Sequence, residues 1–234
     1  MTDPRELDPD SAHARDPREL DPDSAHARDP RELDPDYDKH GGFPRFEVID
    51  APQGFGRFVT AMRRVQDLAV AADVPDWDSA ADRVEDVIAY LAPHEAPGGV
   101  APAGRVASLP GAGSVMMPPW QIRHFSPEMV LIDVQFSRYH VGGNNAVHGG
   151  MVAMMFDVTC GIIIHAIGRP ISRTAFLHVD YRNITPIGVP LTVRGWASKV
   201  EGRKTFVNAE LTGPDGTLRA EANGLMVQLL PGQP

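Results

Sequence analysis

The stretch from His148 to Ala166 reads His-Gly-Gly followed by an apolar run that a single carboxylate, Asp157, interrupts. A segment apolar nearly all round marks a buried helix. An ionised carboxylate inside one costs several kcal/mol unless it is paired or hydrogen-bonded. Asp157 is therefore a candidate general base or nucleophile in a dry site, the alternative being a partnered Asp that holds a helix or a dimer contact. Gly150, seven residues earlier, shares its helical face. A free glycine amide at a helix N-terminus is a good oxyanion donor, aided by the helix dipole. Along a helix axis the two groups lie about 10 Å apart, too far to act on one carbonyl. If both act, they come from two antiparallel copies of the helix, and the catalytic unit is a dimer. Gly150, Ala153 and Gly161 leave room on this face for a partner helix or a substrate.

Competing chemistries find less support. The single cysteine, Cys160, sits three residues after Asp157 with no activating base beside it, and reads as a small packed hydrophobe. His140, His165 and His178 form no recognisable metal triad, so no metal is expected. Neither a Gly-x-Ser-x-Gly elbow nor a glycine-rich phosphate loop occurs. The apolar helix has the bare minimum length for a membrane span, but Asp157 and His165 count against insertion.

The elements that must position these groups divide the chain in three. Residues 1–40 repeat a 13-residue unit, Asp3–Arg15 and Asp16–Arg28, with a truncated third copy. A unit with two prolines and one leucine buries no face, so a disordered acidic tail is expected. The tail carries a net charge of −7 and the remainder −2, which leaves no basic stripe for nucleic acid. With no secretory leader visible, the reading is a cytoplasmic protein. Residues 41–113 hold two amphipathic helices between about Phe55 and His94, parted at Val74-Pro75, and then a Pro/Gly-rich linker. Residues 114–234 hold a strand-like run from Met129 to Tyr139, the apolar helix, and four further runs at about 173–182, 191–200, 203–212 and 217–229. In the first of these, alternation puts Ala175, Leu177, Val179 and Tyr181 on one side, and Thr174, Phe176 and His178 on the other. Pro214-Asp215-Gly216 makes the last two a hairpin. The order predicts an α+β domain, an antiparallel sheet wrapped on one long helix.

His148-Gly149-Gly150 with Asp157 nine residues after the histidine, Leu177–Tyr181, Pro186, Val200–Val207, Asp215-Gly216 and Ala220–Gly224 together resemble the hotdog-fold thioesterases of the phenylacetate-pathway and mammalian thioesterase-superfamily type. The resemblance covers roughly residues 114–230 and implies hydrolysis of acyl-CoA to free acid and CoA in a homodimer or dimer of dimers. It implies no cofactor beyond the CoA of the substrate. On that resemblance Asp157 activates water or attacks the thioester carbonyl. The amide of Gly149 or Gly150 from the facing subunit binds the oxyanion, Thr174 positions the water, and His148 shapes the helix entry. Many relatives carry Asn six residues before the histidine, a slot that Gly142 fills here, with Asn144 and Asn145 as the nearest substitutes. Arg203 and Lys204 are candidates for the CoA phosphates. A non-catalytic acyl-CoA-binding or scaffold protein on the same fold is the alternative.

Overall fold

The computed structural model describes residues 48–96 and 100–230; the repeat tail expected at 1–40 lies outside them. The two amphipathic helices are α1 (Phe55–Ala69) and α2 (Trp77–Leu91). Asp76 caps α2 by accepting the Ser79 amide at 3.1 Å. On α1, Arg63 donates to the carbonyls of Met117 (2.8 Å), Pro110 (3.2 Å) and Ser114 (2.7 Å), so one guanidinium gathers the linker under the helix. Asp67, one turn on, accepts the Tyr139 amide at 2.9 Å.

Eight strands follow: β1 (Trp120–Phe125), β2 (Val130–Gln135), β3 (Val141–Gly143), β4 (Ala146–Val147), β5 (Ser172–Tyr181), β6 (Pro190–Glu201), β7 (Lys204–Thr212) and β8 (Leu218–Gln228). Six form one antiparallel sheet in the order β1-β2-β6-β7-β8-β5, and β3 pairs with β4 in a small hairpin. Helix α3 (Gly149–Ala166) lies across the large sheet, so the α+β hotdog architecture expected from the sequence is the one observed. The Met129–Tyr139 run is shorter as a strand than its apolarity suggests. Ser137 ends β2 because its amide donates to His140 Nδ1 at 2.9 Å, which winds Arg138–His140 into a 3-10 turn. β1, with five exposed residues of six, gives almost no burial pattern to read.

Val152, Met155, Phe156, Cys160, Ile163 and Ile164 of α3 form the core with Val130, Ile132, Val193, Val207, Leu211 and Met226 of the sheet. Gly195 lets helix and sheet touch, since a Cβ there would sit 2.7 Å from Thr159 Cγ2 and 2.8 Å from Ile163 Cδ1. Gly195→Ala is expected to cost about 1–3 kcal/mol of stability through overpacking. An unchanged urea midpoint would show that α3 is not seated at this point.

α3 is long and apolar enough to cross a membrane, and 39% of it is buried inside the protein. The sheet covers one side only. Gly150, Asp157, Gly161 and His165 are exposed, and Ala153 and Met154 half-buried. The sequence reading of Asp157 as a buried carboxylate therefore does not hold in the single chain. A run apolar all round marks what the helix can bury, while one six-stranded sheet reaches only half of its circumference.

Candidate active site

His148 is the N-cap of α3. Its amide donates to the His140 carbonyl at 2.8 Å, and its Nδ1 accepts the Gly150 amide at 3.0 Å. The Gly150 N–H expected to be free is thus taken by the cap. The Gly149 N–H, by contrast, has no partner among the described residues and sits at the positive end of the helix. Of the two candidate oxyanion donors, the geometry favours Gly149.

Tyr181, the last residue of β5, donates its hydroxyl to the Gly149 carbonyl at 2.8 Å. A Cβ on Gly149 would lie 3.2 Å from Tyr181 Cζ and Oη, so the close approach uses the missing side chain. Sequence reasoning did not single out Tyr181. The signal was there, because alternation already placed it on one side with Leu177 and Val179, the side that the structure turns to the helix. A cleft of about 390 Å³ opens beside Gly149, walled by Val147, Val152, Tyr181 and Ile184. A larger groove of about 580 Å³ runs past Asp67, Gln135 and Arg138 and holds none of the candidate reactive groups.

Asp157 Oδ1 accepts the Thr174 hydroxyl at 2.7 Å. Simple alternation had put Thr174 on the side opposite Leu177 and Val179. The register shift between Thr174 and Phe176 corrects that. The extra residue, Ala175, is a β-bulge that turns Thr174 onto the Leu177 side and aims it at the helix. Asp157 Oδ2 carries no hydrogen bond among the described residues, which leaves one oxygen for chemistry.

The asparagine slot has a steric explanation. A Cβ at Gly142 would sit 2.9 Å from His148 Cα, so β3 can pass the helix entry this closely only as glycine. Asn144 and Asn145 form the tip of the β3–β4 hairpin, exposed, with φ of 50° and 56°. Their type suits that left-handed turn. Arg203 and Lys204 lie at the β6–β7 turn, where Arg203 Nη1 donates to the Gln228 carbonyl at 3.1 Å. Lys204 precedes the buried Thr205, so it stands on the outer face of the sheet, away from α3. Burial pushes the Cys160 thiol up to about 12, which removes it as a nucleophile at neutral pH. Among the described residues no three His, Cys, Asp or Glu side chains gather as a metal site.

Residues 144–220 match the family model of the Thioesterase superfamily. Acyl-coenzyme A thioesterase THEM4 of Rattus norvegicus is 36% identical over 89 residues, 38% of each chain. Its Xenopus laevis counterpart is 35% identical over 95 residues, 40% of this chain and 42% of that one. The chain thus matches about two fifths of the length of these curated relatives. A thioesterase superfamily protein of solved structure superposes with a TM-score of 0.66 at 25% identity, over 77% of this chain and 100% of that one. The stretch that carries Gly149, Asp157 and Thr174 is thus similar in sequence to the thioesterase superfamily, and the sheet-and-helix domain around it superposes on a solved protein of that superfamily.

Proposed function

We propose that this protein hydrolyses acyl-CoA thioesters at a site shared by two copies of the chain. The observation that carries the reading is the pairing of Thr174 with Asp157, on the same exposed helix face whose N-terminus presents the Gly149 amide. Gly149 and Asp157 are eight residues apart, about 12 Å along one helix, so a single carbonyl meets both only if a second α3 lies antiparallel on the first. The face that such a partner would cover is the one the sheet leaves open, and its glycines permit close approach. Covering it would also move Asp157 from water into the dry surroundings that make a carboxylate a useful base.

In this reading Asp157 Oδ2 takes a proton from a water held by Thr174, and the water oxygen attacks the thioester carbonyl. The oxyanion is held by Gly149 N–H of the other copy, and collapse expels the CoA thiolate, which recovers the proton. Tyr181 and His148 keep the first turn of the helix in place. Arg203, at the β6–β7 turn, is assigned to the CoA phosphates and the Asn144-Asn145 tip to the substrate entrance; Lys204, on the outer face of the sheet, is not. The assembly is a homodimer or a dimer of dimers, with α3 as a core helix rather than a membrane span.

Free-thiol release from short-, medium-, long-chain and aryl acyl-CoAs tests the reading. Turnover on at least one member is expected, and binding without thiol release would favour the acyl-CoA-binding alternative. Thr174→Val should lower kcat about 10- to 100-fold, the worth of a hydrogen bond to a charged group, with Thr174→Ser close to wild type. Equal activity of the Val and Ser variants would remove Thr174 from the mechanism.

A further inference from the structure

We propose that the helical extension docks on a second copy of this chain, with α2 of one copy lying against α1 of the other. The observation is an unburied helix. α2 has no buried residue, and its one substantial contact among the described elements is with the 3-10 turn that continues it, Ala92–His94. Its side chains Trp77, Val84, Val87, Ile88 and Leu91 are nonetheless apolar, with Trp77 55% and Ile88 58% exposed. A 15-residue helix without tertiary contacts is marginal in water, so such a helix calls for a partner.

α1 offers a matching surface. One side of it is tied to the body by Val59, Arg63 and Asp67, while Phe58, Ala61, Val65 and Leu68 form a stripe that is exposed. The steps between these four residues are three, four and three. On α2, Trp77, Ala80, Val84, Val87 and Leu91 follow the same alternation. That is the spacing of a seam that packs against another helix. The charges are complementary. α2 carries Asp78, Asp82, Glu85 and Asp86 against Arg83, a net of −3. α1 carries Arg57, Arg63 and Arg64 against Asp67, a net of +2, with Arg57 and Arg64 exposed.

Within one chain α1 and α2 make no substantial contact, and the seven-residue link between them, Val70–Asp76, holds Pro75, which restricts Val74 to extended backbone. Exchange of α2 between copies satisfies both seams without altering either helix, as in domain swapping. This interface does not depend on the hydrolase reading and uses none of the residues assigned to it.

The test uses Val65→Cys and Val84→Cys, each central in its seam, on separately tagged chains produced together, with a third chain bearing both substitutions made alongside. A short bismaleimide then links thiols across the interface. Native Cys160 is 3% exposed with its thiol pushed up to about 12, so it stays unmodified. The expected product has doubled mass and carries both tags. Three results would overturn the proposal: a link formed only inside a chain bearing both cysteines, a product joining only chains of one type, or no link in properly folded variants.

Discussion

Asp157→Asn is expected to lower kcat for acyl-CoA hydrolysis by about 10³-fold, within the range that a positioned base supplies. The substitution keeps the shape of the side chain, and its amide oxygen can still accept the Thr174 hydroxyl that Oδ1 accepts at 2.7 Å. What disappears is the charge on the second oxygen. Because Asp157 is exposed in the single chain, the change disturbs no packed core of that chain, so thermal stability should stay close to wild type. A folded Asp157→Asn protein that keeps more than about a tenth of wild-type turnover is incompatible with a carboxylate mechanism, since loss of a base costs at least about 10²-fold.

Gly149→Pro should cost about 10²–10³-fold in kcat, the usual effect of deleting one oxyanion donor. Proline suits the first position of a helix, where the amide has no intrahelical acceptor, and His148 before it is already extended with ψ of 131°. The variant thus removes the N–H while leaving the helix start intact. Gly149→Ala is the control. It keeps the N–H but presses its Cβ on Tyr181, 3.2 Å away, and should cost no more than about tenfold. If Pro and Ala variants lose activity equally, the effect is crowding against Tyr181 rather than loss of a donor. Thiol release and helix content, measured on both, separate the two.

The sequence carried most of the fold because its signals were local. The helical periods of α1 and α2, the alternation of β6 to β8 and the Pro214-Asp215-Gly216 turn each depend on neighbours in the chain. What it hid was set by contacts between distant segments. The bulge at Ala175 arises from pairing with β8 and reverses the side on which Thr174 stands, which alternation alone cannot show. The capture of the Gly150 amide by His148 Nδ1 depends on a side-chain rotamer, and among the described residues it leaves the Gly149 amide, not that of Gly150, without a partner. The exposure of Asp157 depends on how far one sheet can wrap a helix. Asn144 and Asn145 show the opposite case, in which a turn conformation readable from residue type accounts for both side chains.

A site built from two chains has one direct test. Asp157→Asn and Gly149→Pro chains are each nearly inactive in this account, but a dimer of one with the other contains one intact site and one doubly altered site. With random exchange in a two-fold dimer, an equimolar mixture should regain about a quarter of wild-type thiol release. A mixture that exchanges subunits freely yet stays as inactive as either parent would place both groups in one chain's site and contradict the shared active centre.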